Sequence, residues 1–158
     1  MFHKYPAVLT VWLILCETSL TVSQHSCTEK NLRVINRKMS WFEARLRCAE
    51  IAPNGRLVSI KTAQDQEYVR AFLEHDKPDI SNCETNYAGY AYWTSGRLIN
   101  RKYIWTNENQ EFSYFNWNGG EPNGATSGEE CIHLWGNLKW NDLNCDVSVY
   151  HICPLCEF

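Results

Sequence analysis

The sequence GEPNGATSGEEC occupies residues 120–131, and WNDLNC follows at residues 140–145. Together the two stretches carry five side chains with hard oxygen atoms, namely Glu121, Asn123, Glu129, Asn141 and Asp142. Carboxylate and amide oxygens are the ligands that Ca²⁺ prefers in proteins. Because cysteines bound this short segment, the pattern predicts a calcium site built from these five residues.

Acidic and amide side chains alternate within the segment. A carboxylate accepts hydrogen bonds and an amide NH₂ donates them, so a neighbouring pair suits a sugar hydroxyl, which does both. We expect Glu121 with Asn123 to bind one hydroxyl and Glu129 with Asn141 to bind the next, while Asp142 completes the metal shell. The alternative is a polar, glycine-rich surface loop whose acids are only hydrated.

The same motifs resemble those of the C-type lectin domain family, over about residues 27–156. Glu121-Pro122-Asn123 is similar to the family's mannose-type tripeptide, and Trp140-Asn141-Asp142 to its Trp-Asn-Asp motif. Glu129 lies where the family places its next acidic ligand. The resemblance implies a cis peptide bond before Pro122, which turns the Glu and Asn side chains to one side of the loop.

This resemblance implies a calcium-dependent lectin that binds glycans with terminal mannose-type sugars, in a setting such as innate immunity or cell adhesion. It also implies an α+β, C-type lectin-like fold with two helices, short antiparallel strands and a long calcium-binding loop. The family's auxiliary calcium site should be weak or missing. Of its usual acids only Glu130 has a counterpart, since Gly124 stands where an acid is common.

The residues themselves also indicate an α+β domain, because two helical patterns precede several short strands. Ser40 with Glu43 and Thr62 with Asp65 form helix-capping patterns. The predicted core faces of these helices are Trp41, Ala44, Leu46 and Cys48, and Tyr68, Val69, Phe72 and Leu73. Strands are predicted at residues 32–35, 57–60, 90–93, 104–105, 131–134 and 149–152. A long polar segment, residues 107–130, carries several of the predicted ligands.

Eight cysteines indicate a disulfide framework in a secreted domain. The resemblance implies the bonds Cys48–Cys153 and Cys131–Cys145. With the family's termini close together, Cys27–Cys156 is the preferred third bond. Cys83 would then be unpaired, either buried or linking two copies as a homodimer. The Cys153-Pro154-Leu155-Cys156 sequence also fits a redox or zinc motif, but its position near the C-terminus disfavours both.

The N-terminus predicts a secreted protein. His3 and Lys4 precede an apolar run at residues 7–16, so residues 1–23 are expected to be a signal peptide and residues 24–158 the lectin domain. The alternative, a membrane anchor, is disfavoured because the run is well short of the roughly 20 residues that span a bilayer. A net charge of −3 without a basic stripe argues against nucleic acid as a partner.

Two other functions fit parts of the sequence. Glu129, Glu130 and His133 would suit a hydrolase, but the chain has neither a recognisable nucleophile motif nor a histidine pair with zinc spacing, so we expect no catalysis. A protein-binding module without sugar binding is the second alternative. We expect Trp93, Trp105, Trp135 and Trp140 to pack in the core and His133 to be a framework residue. Trp117, nearest the predicted site, is the candidate for stacking on a sugar.

Overall fold

A computed structural model describes residues 31–85, 89–124, 128–146 and 152–158. The predicted signal peptide at residues 1–23, Cys27 and most of the predicted strand at residues 149–152 lie outside these ranges. In chain order the described elements are β1 (Leu32–Val34), α1 (Trp41–Ile51), β2 (Arg56–Leu57), α2 (Ala63–Ala71), a π-helical segment (Phe72–Asp76), β3 (Glu84–Thr85), β4 (Gly89–Tyr90), β5 (Tyr92–Ile99), β6 (Lys102–Trp105), β7 (Gln110–Glu111), β8 (Cys131–Leu134), β9 (Trp140–Leu143) and β10 (Cys153–Glu157). The predicted α+β class is confirmed.

Both helices begin at their predicted caps. The Ser40 hydroxyl accepts from the Glu43 backbone N–H, and the Glu43 carboxylate accepts from the Ser40 N–H at 2.9 Å. Thr62 and Asp65 form the same reciprocal pair at the start of α2. Each cap satisfies backbone donors that the helix leaves unpaired, a contribution of about 1 kcal/mol.

The predicted core faces of the helices are only partly correct. In α1, Trp41, Ala44 and Cys48 are buried, but Leu46 is 67% exposed because it lies off the stripe that those three residues form. In α2, Val69 is buried whereas Tyr68 is 41% exposed. The other buried residue of α2 is Gln66, a polar residue that was not predicted to be buried.

Strand β10 lies at the centre of the main sheet. It pairs antiparallel with β1 and β2 and parallel with β5. Strand β5 then pairs antiparallel with β6 and β8, and β8 pairs antiparallel with β9. The predicted strand at residues 57–60 is regular only at Arg56–Leu57. The strand predicted at residues 90–93 is interrupted at Ala91, because Tyr90 ends β4 and β5 runs from Tyr92 to Ile99. This arrangement places the β8–β9 hairpin beside β5.

The disulfide bonds correct two predicted pairings. Cys131–Cys145 is confirmed, but Cys48 is bonded to Cys156, so both Cys48–Cys153 and Cys27–Cys156 are wrong. Cys153 is bonded to Cys83. An unpaired Cys83 that links two copies is therefore also wrong, and so is a redox or zinc role for the C-terminal cysteine pair.

The pleat of β10 explains this connectivity. Cys153 and Cys156 are three positions apart on one strand, so their side chains point to opposite faces of the sheet. Cys156 packs in the cluster that contains Cys48 of α1, and Cys153 packs in the cluster that contains Cys83. Each cysteine therefore meets a partner from a different side of the fold.

The two clusters are rich in tryptophan. Trp93, Trp105 and Trp140 are fully buried, as predicted, and Trp135 is partly buried. Trp105 stacks on Phe112 at 4.1 Å between ring centroids and meets Trp140 edge-on at 5.5 Å. These large rings fill the space beneath the loop that carries the predicted ligands.

No helix within the described ranges has the length and apolar character needed to cross a bilayer.

Candidate functional site

Strands β8 and β9 present two of the predicted ligands. In their antiparallel register Asn141 lies opposite His133, and Asp142 lies opposite Ile132. The Cys131–Cys145 bond joins the two strands at one end of the hairpin. Asn141 is 7% exposed and Asp142 is 1% exposed. Both polar side chains are thus almost completely shielded from solvent.

Trp140 fixes the start of β9. Its indole N–H donates to the Gln66 side-chain oxygen at 2.9 Å, and the Gln66 amide in turn donates to the Leu138 carbonyl at 3.3 Å. Gln66 is buried in α2, so this contact ties the second helix to the ligand-bearing strand. No periodic pattern predicts burial of Gln66, because a polar residue on a helix is normally expected to face water.

The long loop is paired to the same strand. The Trp140 N–H donates to the Asn116 carbonyl, and the Asn118 N–H donates to the Trp140 carbonyl, at 2.9 and 2.8 Å. The Glu121 N–H then donates to the Asn118 carbonyl at 3.0 Å. These bonds bring the Glu121-Pro122-Asn123 segment beside β9, where the prediction requires it.

Asp142 connects the loop to the hairpin. Its two carboxylate oxygens accept from the backbone N–H groups of Asn123 and Gly124, each at 3.1 Å. Burial first, and then the nearby Asp142 carboxylate, raise the pKa of Tyr103 to about 12. Asp142 was predicted as a metal-binding and sugar-binding residue, so this tethering role is new.

Glu121 supplies one oxygen that has no hydrogen-bond partner in the part of the chain that the structure describes. The peptide bond between Glu121 and Pro122 is cis, as the resemblance implies. The Glu121 Oε2 atom is buried and makes no hydrogen bond to any residue that the structure describes. Burial, followed by the charges of Asp142 and Glu129, raises the pKa of this carboxyl group. The charges of Asp142 and Glu129 therefore both disfavour the ionised form of Glu121.

Glu129 approaches the loop over Gly124. Its N–H donates to the Gly124 carbonyl at 3.3 Å, and a Cβ atom on residue 124 would collide with the Glu129 side chain. Only glycine fits beneath this carboxylate. The acid that was noted as absent from position 124 is thus incompatible with the packing of Glu129.

Asn141 supplies a second oxygen that no described residue satisfies. Its Nδ2 atom lies 3.1 Å from His133 Nε2, whereas its Oδ1 atom is buried and has no hydrogen bond among the described residues. His133 is fully buried, and burial lowers its pKa to about 4, so the ring is neutral at physiological pH. Its Nδ1 atom lies 3.3 Å from the Leu134 carbonyl. This satisfied environment fits the predicted framework role.

A buried polar atom without a partner is costly unless something outside the protein satisfies it. Two such oxygens, on Glu121 and Asn141, lie within the predicted ligand set, and their chemistry is what Ca²⁺ accepts. Across the described part of the chain, no three His, Cys, Asp or Glu side chains converge closely enough to hold an ion alone. A cation here would therefore need the amide oxygens as well as the carboxylates.

Glu130 has a different environment from Glu129. Its carboxylate forms a 2.7 Å ion pair with Arg97, and its carbonyl accepts from the Leu98 N–H at 2.7 Å. The Arg97 guanidinium lies over the rings of Trp41 and Phe42, 5.4 Å from each centroid. Glu130 is thus fastened to β5 and α1 by contacts within the chain.

Trp117 is built into the aromatic cluster beneath the loop. It meets Tyr103 edge-on at 4.9 Å and Trp140 edge-on at 5.7 Å, and it is partly buried. These contacts account for the ring through packing. Stacking of Trp117 on a sugar remains a prediction that the described contacts do not test.

The sequence profile of the lectin C-type domain matches residues 37–155, which is most of the chain. The chain belongs to the C-type lectin domain family. The family consists of carbohydrate-binding proteins that are not enzymes, so the lectin domain is assigned carbohydrate binding and no catalysis. The hydrolase alternative is thereby excluded.

Individual relatives agree with this membership. A C-type lectin from Cerberus rynchops is 34% identical over 121 residues, covering 73% of this chain and 70% of the relative. A C-type lectin mannose-binding isoform from Oxyuranus scutellatus is 30% identical over 133 residues, covering 80% of this chain and 76% of the relative. Among solved structures, the cow C-type carbohydrate-recognition domain of CD23, determined in the presence of a GlcNAc2Man3 oligosaccharide, is 29% identical with a TM-score of 0.62, covering 82% of this chain and 87% of that chain.

Proposed function

We propose that the lectin domain binds mannose-type sugars through one Ca²⁺ ion, held by Glu121, Asn123, Glu129, Asn141 and Asp142. The observation that supports this proposal most is a pair of buried oxygens, Glu121 Oε2 and Asn141 Oδ1, which have no hydrogen-bond partner among the described residues. Leaving both unsatisfied would cost about 1–3 kcal/mol for each group, more for a charged one. A cation would satisfy both oxygens, and it would also offset the burial and the neighbouring charges that raise the pKa of Glu121.

The protein residues divide the work around this position. Glu121, Glu129 and Asp142 supply negative charge, and Asn123 and Asn141 supply amide groups, so the site offers acceptors and donors side by side. A bound Ca²⁺ would accept oxygen atoms from two adjacent sugar hydroxyls. The remaining hydroxyl hydrogens and lone pairs would be matched by the carboxylates and the amide NH₂ groups, which sets the geometry that the sugar must have.

Two comparisons favour mannose-type sugars. The Oxyuranus scutellatus relative is described as mannose-binding, and the cow carbohydrate-recognition domain was studied with a mannose-containing oligosaccharide. In the family, the Glu-Pro-Asn tripeptide accompanies mannose preference and Gln-Pro-Asp accompanies galactose preference. This chain has Glu121-Pro122-Asn123. Affinity for a single sugar should be modest, because an open polar site buries little apolar surface.

The proposal includes secretion with a signal peptide at residues 1–23 and a lectin domain at residues 24–158. The apolar run at residues 7–16 supports it. Three disulfide bonds support it as well, because such bonds persist in oxidising compartments. The partners are extracellular glycans.

The proposal is tested by exchanging the amide and the carboxylate of the tripeptide. The double change Glu121→Gln with Asn123→Asp keeps the shapes and the net charge but reverses which side donates. Mannose binding should weaken by about five- to thirtyfold, the effect of one or two misplaced hydrogen bonds of about 1 kcal/mol each. The measurement is calorimetric titration with mannose in saturating Ca²⁺.

The matched control is Glu130→Gln. It repeats the Glu→Gln half of the change at a neighbouring acid that pairs with Arg97 and lies outside the proposed ligand set. Mannose affinity should stay at the wild-type value in this control. If the double variant binds Ca²⁺ and retains full mannose affinity, these residues do not read the sugar, and the domain is better explained as a protein-binding module.

A further inference from the structure

His133 and Asn141 form a cross-strand pair beneath the proposed calcium site. They face each other in the β8–β9 register, and the ring and amide are both buried. His133 touches neither the loop tripeptide nor Glu129 by any hydrogen bond that the structure describes. Its polar contacts are instead the Leu134 carbonyl through Nδ1 and the Asn141 amide through Nε2.

The Leu134 carbonyl determines which nitrogen of the ring carries the proton. A carbonyl oxygen only accepts hydrogen bonds, so a favourable contact at 3.3 Å requires a proton on Nδ1. In the neutral ring, Nε2 is then an acceptor. The group that faces it at 3.1 Å must donate, and only the NH₂ end of the Asn141 amide can do so.

The orientation of this amide matters because its two ends are almost equal in size. Packing alone would hold either orientation, with the oxygen or the nitrogen toward the loop. With its NH₂ group bonded to His133, the Asn141 oxygen is the end left buried without a protein partner. The reversed amide would place its oxygen against the Nε2 lone pair and direct NH₂ hydrogens toward the cation position.

We infer that His133 is a positioning residue, which fixes the Asn141 amide so that its carbonyl oxygen faces the calcium position. The inference deepens the proposed function and rests on it, since it concerns how one ligand of that site is oriented. His133 itself does not bind the ion or the sugar. Hydrogen bonds from residues behind the ligands are a general means of orienting metal ligands.

The test measures Ca²⁺ affinity by calorimetry in protein stripped of metal. His133→Leu removes the acceptor, so the Asn141 amide is free to reverse, and Ca²⁺ affinity should fall by about ten- to a hundredfold. His133→Gln can offer its side-chain oxygen to the Asn141 NH₂ group, so it should recover most of that loss. The melting temperature of each variant in chelator reports whether the fold is intact.

A double-mutant comparison separates orientation from general packing. An alanine at position 141 removes the amide whose orientation is in question. In the Asn141→Ala background, where Ca²⁺ affinity starts lower, His133→Leu should therefore change Ca²⁺ affinity by less than about twofold, the deviation expected when two sites no longer interact. An equal loss in both backgrounds, or wild-type affinity for His133→Leu in the Asn141 background, would overturn the inference.

The metal-free protein provides a readout that does not depend on calcium. Long-range ¹⁵N–¹H spectra of the His133 ring should show the tautomer that is protonated on Nδ1. A ring protonated on Nε2 would overturn this inference but would leave the proposed function standing. If the wild-type protein shows no Ca²⁺ binding at all, the proposed function and the inference both fail.

Discussion

Replacing Asp142 with asparagine should destabilise the lectin domain even when no calcium is present. The Asp142 carboxylate accepts two backbone hydrogen bonds, from Asn123 and Gly124, each at 3.1 Å. An asparagine keeps one acceptor oxygen but presents an NH₂ group to the other backbone N–H. One charge-assisted bond is then lost and one buried donor is left unpaired, at a combined cost of about 2–4 kcal/mol.

An opposing effect reduces this loss. The Asp142 charge repels Glu121 and helps to raise its pKa, so removing the charge relieves repulsion on the order of 1 kcal/mol. The hydrogen bonds are the larger effect, and a net loss of about 1–3 kcal/mol remains. In a Glu121→Gln background the relief is absent, so the same substitution should cost more.

The assay is urea unfolding in excess chelator with the disulfide bonds intact, and the free energy of unfolding is obtained by linear extrapolation. Asp146→Asn is the matched control, because it removes the same charge from an exposed residue of the same segment. It should change stability by less than about 0.5 kcal/mol. A change this small for Asp142→Asn, in both backgrounds, would refute the tethering role of this carboxylate.

Three further predictions follow from the same geometry. Non-reducing peptide mapping should recover Cys48 linked to Cys156 and Cys83 linked to Cys153, whereas a Cys48–Cys153 peptide would contradict the two-faced arrangement of β10. In metal-free protein the pKa of Glu121 is raised above its ordinary value of 4.5, so its charge does not destabilise the fold well below pH 4.5 and does so increasingly as pH rises from there through the folded-state pKa. Glu121→Gln should therefore raise the melting temperature at neutral pH but not in acid. An equal effect at both pH values would show that the charge is not responsible. Gly124→Ala should displace the Glu129 side chain and weaken Ca²⁺ binding, measured by calorimetry, by about tenfold or more. Gly119→Ala is the control, because a Cβ atom there has open space, and it should leave Ca²⁺ affinity unchanged. Equal affinities for the two variants would show that the position of the Glu129 side chain does not determine Ca²⁺ affinity.

The features that the sequence predicted best are local ones. The Ser40 and Thr62 caps depend on side chains three residues away, so both helix starts were recovered. Strand β8 was predicted at its observed bounds, and all four of its residues are buried. Leu46 was misplaced because one leucine in a short, highly charged helix gives little periodic signal. Strand β9 was hidden because its polar residues, Asn141 and Asp142, are buried by tertiary contacts.

The features that the sequence did not predict depend on contacts between distant segments. Cys153 and Cys156 share a short motif, and only the pleat of β10 shows that they face opposite sides. Gln66 and His133 support Trp140 and Asn141 from behind, over separations of 74 and 8 residues. A sequence pattern can identify metal ligands by their chemistry, but it cannot show which neighbours orient them.

Retention on a mannose matrix, compared in Ca²⁺ and in excess chelator, tests the central claim most directly. The wild-type protein should be retained in Ca²⁺ and released by chelator, because without the ion no cation links the Glu121 and Asn141 oxygens to the sugar hydroxyl oxygens. Re-addition of Ca²⁺ should restore binding if the disulfide-bonded fold has survived. Retention that persists unchanged in chelator, or no retention in saturating Ca²⁺, would contradict a calcium-dependent sugar site at these residues.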